Sequence, residues 1–314
     1  MTLRSRLDAL TAEQHALVEG YHRNAQAIEE ARLAVGEQQA RAVRRDADSL
    51  TAREAEFRVF SQWNEDGIIQ WLIAKLGLTT GRFIEFGVES YAESNTRFLL
   101  THNNWRGLIL DGGASHIEFV QSRELIWRYD LTAVTSFVDR DNINDLFRTN
   151  GFKGEIELLS IDIDGNDYWV WEAIDAVTPK IVVAEYNSTF GAEHAVTVPY
   201  DDAFDHNTAH YSRLYFGASL AAMERLADAK GYALVATESH GSNAFFVRRD
   251  VMGALPPLSV AAGWVESRFR SSRDTGGQLT FVSDHRDRLR LMRELPLVDV
   301  TSGEPVTIAE LYGV

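Results

Sequence analysis

Residues 157–167 read Glu-Leu-Leu-Ser-Ile-Asp-Ile-Asp-Gly-Asn-Asp, an apolar run that ends in three carboxylates. Leu158, Leu159, Ile161 and Ile163 suit a buried strand, with Asp162, Asp164 and Asp167 crowding its exit. Crowded carboxylates repel one another and lose hydration, so the cluster needs a cation, a ligand amine or a shared proton. Ligands of open α/β sheets sit outside the carboxyl ends of the strands, where this cluster would fall. A polar strand-to-helix turn needs only one cap, such as Asp164 or Asn166, and leaves the other acids unexplained. The spacing excludes an EF-hand, because counting from Asp162 puts Asp167 and Ala173 where glycine and glutamate are required.

A second segment, residues 83–96, reads Phe-Ile-Glu-Phe-Gly-Val-Glu-Ser-Tyr-Ala-Glu-Ser-Asn-Thr. A short strand runs into Glu85 and Gly87, and a polar loop then opens a helix at Ser94, Asn95 and Thr96. Gly87 would let the backbone approach a ligand closely, and the helix N-terminus would present free N–H donors. Asp111 ends the next strand 24 residues after Gly87, the place from which an acid grips ribose hydroxyls. Asp130, near the third strand, is a candidate for the adenine side. The loop has one glycine where a dinucleotide-dehydrogenase fingerprint needs three. A loop at 200–215, rich in aromatics and carrying His206 and His210, suits a sugar-facing wall, with His210 as its titratable base.

The elements that must position these residues are legible as alternating patterns. Helical spacing covers 65–76 and 218–230; strands are expected at 82–86, 108–111, 132–138, 158–163 and 180–185, with an antiparallel pair at 232–236 and 243–248. Strands alternating with helices imply a mostly parallel sheet with helices on both faces and a terminal hairpin at one edge. Trp169 and Trp171 belong to the core of the helix after the fourth strand. The division is an N-terminal helical segment at 1–56, an α/β domain at 57–250 and a C-terminal extension at 251–314, which would pack or act as a lid.

In the first segment Leu3, Leu10, Leu17, Asn24 and Ala31 recur every seven residues, and Leu7, Gln14, Tyr21, Ile28 and Val35 complete the seam. Asn24 would fix register in a homo-oligomer built through this helix. The alternatives are one amphipathic helix on its own domain, a break near Gly20 or Gly36, or a late start at a Thr11–Gln14 capping box. A net charge of −15 argues against a nucleic-acid partner, and no cysteine means any metal is held by oxygen or histidine. No run approaches the roughly 18 apolar residues of a membrane span, and the N-terminus lacks a signal's apolar stretch, so a cytoplasmic protein with a small-molecule partner is expected.

Glu85-Phe-Gly87, Asp111, the acidic fourth strand and the late hairpin together resemble a class I S-adenosylmethionine-dependent methyltransferase with a Rossmann-like sheet. Residues 61–248 resemble FkbM-type and bacterial sugar O-methyltransferases, notably in Leu-Ser-Ile-Asp-Ile-Asp-Gly-Asn-Asp-Tyr-Trp-Val-Trp and Val-Ala-Glu-Tyr-Asn. Where that pattern carries its next glycine this chain has Glu89, which could bind a ligand amine or hydroxyl. The resemblance implies S-adenosylmethionine held by Glu85, Gly87, Glu89, Asn95, Thr96, Asp111, Asp130 and Asp162, and a small-molecule or saccharide acceptor. By likeness to metal-dependent O-methyltransferases it also implies Mg²⁺ on Asp164, Glu185 and Asn187, with Asp164, Glu185 and His210 catalytic. Two other readings stand: a metal-dependent nucleotide-sugar transferase using Asp162-Ile-Asp164, and a methyltransferase-like subunit that binds partners without turnover.

Overall fold

A computed structural model describes residues 3–314. Ten strands form in chain order: β1 (Arg82–Phe86), β2 (Arg106–Asp111), β3 (Leu131–Thr135), β4 (Gly154–Ile161), β5 (Val177–Glu185), β6 (Val196–Thr197), β7 (Tyr232–Thr237), β8 (Asn243–Arg248), β9 (Pro296–Asp299) and β10 (Pro305–Thr307). Seven of them make one sheet in the order β3-β2-β1-β4-β5-β8-β7, and β10-β9-β6 make a smaller one. β1 to β5 pair in parallel, while β8 is antiparallel to both β5 and β7. This is the mostly parallel Rossmann-like sheet expected from the sequence, with its one reversed strand inserted beside the fifth.

Strand periodicity divides the core between the two faces of the sheet. Phe83, Leu158, Ile181 and Val183 pack to one side, beneath α1 (Leu3–Asp46) and α2 (Glu65–Lys75). Ile84, Phe86, Leu108, Leu159, Ile161 and Val182 pack to the other, with Trp171 of the helix Asp167–Ala173 and Met223 of the helix Leu220–Ala229. Buried helices on both sides explain why the strands read as apolar runs rather than as alternating patterns.

Several boundaries differ from expectation. The third strand ends at Thr135, so residues 136–138 form a loop beyond it. The helix expected from Ser94 begins at Arg97, because the Glu85 carboxylate holds Ser94, Asn95 and Thr96 in a loop. α1 runs unbroken through Thr11, Gly20 and Gly36. Its C-terminal part docks through Ala40 and Val43, and Gly36 allows close contact with Val59 and Phe98. The seam positions Leu3 and Leu7 lie outside the described side chains, whereas Leu10, Leu17, Tyr21, Ile28 and Val35 are exposed.

Residues 251–314 pack against the rest of the chain. β9 pairs with β6, Trp264 donates to the Ser188 carbonyl at 3.2 Å, and Tyr312 donates to that of Phe190 at 2.7 Å. A third apolar cluster joins Phe190, Val196 and Leu214 to Leu289, Leu297 and Ile308.

Gly87 has φ +80°, and a Cβ built on it would collide with the Asp162 carbonyl oxygen. Gly87→Ala should therefore cost more than about 3 kcal/mol of unfolding free energy. Gly77→Ala, also at positive φ but with nothing within 4 Å of the added carbon, should cost about 1–2 kcal/mol. Equal losses for the two variants in chemical denaturation would remove the close approach as the constraint.

Candidate functional site

The sheet's register carries one row of residues across its carboxyl edge. Asp111 pairs with Thr135, and Phe86 pairs with both Leu110 and Ile161, so the next residues Asp111, Gly87 and Asp162 stand side by side. Ile161 pairs with Ala184, which sets Asp162 beside Glu185, and Glu185 pairs directly with Asn243. The row opens into a cavity of about 750 Å³, bordered also by Glu89, Ser136, Phe137, Asn166, Phe204 and His206.

On the β1 side Glu85 is 4% exposed and borders the cavity, but its carboxylate mainly organises the loop. It accepts from Ser94 Oγ at 2.6 Å, Asn95 N at 2.9 Å, Thr96 N at 3.1 Å and the Thr96 hydroxyl. Burial outweighs these donors and raises the Glu85 pKa. Asn95 borders the cavity, with its amide on Ser160 Oγ at 3.1 Å. Thr96 does not border it: its hydroxyl is held between Glu85 and Tyr91. Glu89 has φ +45°, a left-handed backbone that favours glycine. Its amide donates to Asp111 Oδ2 at 2.7 Å, while Gly113 N donates to Oδ1 at 2.7 Å, and Asp111 still borders the cavity. Asp130 lies elsewhere. It precedes β3, at the amino end of the sheet, where it is exposed and faces Arg106 at 3.7 Å. Phe137, beyond the other end of that strand, is 55% exposed and borders the cavity.

On the β4–β5 side Asp162, Asp164 and Glu185 bring one carboxylate oxygen each within 4.8 Å of one another. Burial first, and the neighbouring carboxylates second, push the pKa values of Asp162 and Glu185 well above the usual range. Asp164 is exposed with φ +53°. Asp167 holds the turn, accepting from Ile163 N at 2.8 Å and Gly165 N at 2.9 Å, and burial raises its pKa to about 6. Asn187 is not part of this group. Its Oδ1 accepts from Thr189 N at 3.0 Å, and its amide donates to the Leu214 and Phe216 carbonyls at 2.9 and 3.0 Å. Asp162 takes the place expected for it, because strand register outranks spacing along one loop.

His210 lies outside the cavity lining, with Nδ1 2.7 Å from Ser212 Oγ. His206 borders the cavity instead, its Nδ1 3.8 Å from Asp164 Oδ1 and its Nε2 2.8 Å from the Arg213 carbonyl. A carbonyl can only accept, so Nε2 carries the proton and a neutral His206 leaves the Nδ1 lone pair toward Asp164. The polar-to-apolar change from Ser242 and Asn243 to Ala244 and Phe245 at the start of β8 was the available signal for Asn243, but it discloses no partner until the pairing with β5 is known.

No family model matches the chain, and no curated protein sequence matches it. Among solved structures it is similar to the N-terminal domain of EvdMO1 with SAH bound, at 13% identity and TM-score 0.40, covering 66% of this chain and 94% of that one. It is also similar to the CurJ carbon methyltransferase, at 12% identity and TM-score 0.39, covering 76% and 70%. A third is M. capricolum TrmK in complex with S-adenosyl-homocysteine, at 10% identity and TM-score 0.35, covering 61% and 74%.

Behind the row, Glu65 accepts from Asn243 Nδ2 at 2.9 Å and Trp63 N at 2.9 Å. Burial and then the charge of Glu238 raise its pKa from 4.5 to about 7. A carboxyl raised in the folded state contributes stability that is full below its unfolded pKa and lost as pH rises through the folded one. The loss from Glu65 should accumulate between pH 4.5 and about 7, reaching on the order of 3 kcal/mol. Glu65→Gln should flatten the decline of unfolding free energy across that window; parallel curves for variant and parent would remove Glu65 as its source.

Proposed function

We propose that the chain is an S-adenosylmethionine-dependent methyltransferase acting on a sugar hydroxyl with the help of Mg²⁺. The observation that carries this reading is the row Asp111, Gly87, Asp162 and Glu185 along one cavity. The residues present fit the cofactor. Gly87 is exposed on the cavity lining and presents backbone without a side chain, Asp111 supplies a carboxylate for ribose hydroxyls, and Phe137 offers an apolar wall for a purine. When bound, S-adenosylmethionine supplies an electrophilic methyl whose bond to sulfur breaks, leaving a thioether, as the acceptor oxygen forms its new bond.

The chain's own residues would position the acceptor and handle its proton. His206 Nδ1 would take the hydroxyl proton, and Asp164, 3.8 Å away, would steady the imidazolium. Phe204 packs on Gly165, where an added Cβ would meet its ring, and so closes the wall beside the carboxylates. Asp162, Asp164 and Glu185 are hard oxygen ligands suited to Mg²⁺, which would polarise the acceptor oxygen. Glu185 Oε2, buried without a hydrogen-bond partner, supports a cation there.

Two measurements test this reading. Asp111→Ala should weaken S-adenosylmethionine binding by roughly 1.5–3 kcal/mol, the worth of a charge-assisted hydrogen bond; an unchanged dissociation constant in calorimetry refutes the assignment. Exhaustive chelation should stop methyl transfer, and Mg²⁺ should restore it. Full activity without metal would leave His206 as a base acting alone.

The reading includes self-association through α1. Leu10, Leu17, Tyr21, Ile28 and Val35 are 56–72% exposed at four- and seven-residue intervals, with Asn24 inside the seam. Helix rise spreads residues 10–35 over about 39 Å, and a partner must match this seven-residue repeat along that length, as a second copy of the helix does. The helix is held in place by the Arg97–Glu29 ion pair at 2.6 Å. Deleting residues 1–28 should lower the solution mass in light scattering to that of one chain; equal masses per particle before and after deletion would sink the idea.

A further inference from the structure

The cavity wall makes a specific chemical demand, and this inference rests on the sugar-methylation reading while narrowing it. Three side-chain atoms on its lining are buried without a hydrogen-bond partner: Asn166 Oδ1, Asn243 Oδ1 and Glu185 Oε2. The two asparagines are each 3% exposed. Their amide orientations are fixed chemically, because Asn166 Nδ2 donates to the Asp201 carbonyl at 2.7 Å and Asn243 Nδ2 to the Glu65 carboxylate at 2.9 Å. The two asparagine positions are therefore acceptors, and a buried acceptor left unpaired is costly. They ask for ligand O–H or N–H groups, and Glu185 can take a cation.

The charge around them points the same way. Eight carboxylates border the cavity, and among the described residues no lysine or arginine does. Glu89, Glu93, Asp164 and Asp205 are exposed there. Arg58 pairs with Glu93 at 3.4 Å but is not part of the lining. Phosphate recognition ordinarily uses guanidinium or ammonium groups or a helix N-terminus. Here a phosphate or carboxylate on the acceptor would meet like charge.

We infer that the acceptor is a hydroxyl- or amine-rich sugar without phosphate or carboxylate, presented after its nucleoside diphosphate has been removed. The reaction class that supplies it is glycosyl transfer, in which the anomeric bond to the diphosphate breaks as the glycosidic bond forms and the incoming hydroxyl releases its proton. The open acceptors on Asn166 and Asn243 receive sugar hydroxyls or an ammonium, and the exposed acids turn anionic precursors away.

The test uses the full chain loaded with S-adenosyl-homocysteine, with saturating Mg²⁺ and again after chelation. Binding is measured by saturation-transfer NMR and equilibrium dialysis for methyl glycosides of common hexoses, the matching amino sugars, hexose 6-phosphates, uronates and nucleoside-diphosphate hexoses. The neutral and amine-bearing members should bind at least about tenfold more tightly than their anionic counterparts in both conditions. An anionic member that binds as well as its neutral counterpart in either condition overturns the inference, and so does a panel in which nothing binds. The same panel is then assayed with S-adenosylmethionine. Selective binding without methyl transfer sinks the methyltransferase reading and leaves the charge selection standing, whereas transfer to a phosphorylated member reverses the selection itself.

Discussion

The approach of Gly87 to the main chain at Asp162 is the contact on which the site depends. Without a side chain at Gly87, β1 and β4 stay paired to their ends, and the Gly87 amide donates to the Leu110 carbonyl at 3.0 Å. That pairing fixes where Asp162 emerges, and the β4–β5 register then places Glu185 beside it. Two half-buried carboxylates on adjacent strands cannot both keep full hydration, so each opposes ionisation of the other. The destabilisation is held in place by a large apolar sheet that has no lower-energy register, since slipping one strand by one residue would turn its buried face outward.

A second layer of order comes from acids whose carboxylates hold loops. Glu85 organises 94–96, Asp167 organises 163–165, and buried Asp66 accepts from the amides of Val59, Phe60 and Ser61 at 2.7–2.9 Å. Each satisfies several N–H groups that have no partner in a helix or strand. Strained backbone gathers nearby: Glu89, Tyr91 and Asp164 all have positive φ. Such conformations cost of order 1–3 kcal/mol each and persist where surroundings over-determine them. At Glu89 the over-determination is visible, because its amide is fixed by Asp111.

Much of the sheet was legible because apolar runs of strand length alternate with helical spacing along residues 65–248. The strand-end acids Asp111, Asp162, Asp164 and Glu185 were legible for a related reason: a charged residue closing an apolar run marks the exit of a buried strand. Asn187 and His210 were assigned to the site by nearness in sequence, yet Asn187 spends its side chain on Thr189 and on the Leu214 and Phe216 carbonyls, and His210 Nδ1 faces Ser212. Asn243 shows the converse limit. Its place opposite Glu185 is a property of pairing between segments about 60 residues apart, which periodicity within either segment does not encode. Asp130 was misplaced by direction, since a residue before a strand and one after it lie a strand's length apart, at opposite edges of the sheet.

The reversed strand β8 also bears on how the chain is made. It covers the open edge of β5, yet its first residue follows Glu185 by nearly sixty positions. During vectorial synthesis the apolar segment Val177–Glu185 must therefore emerge with one ladder of backbone donors and acceptors unpaired. An uncovered edge of that kind templates pairing with other chains. Nascent chains that pause between residues 185 and 243 are thus the ones most exposed to aggregation, and the hairpin that frames the cavity with Asn243 also ends that interval of risk.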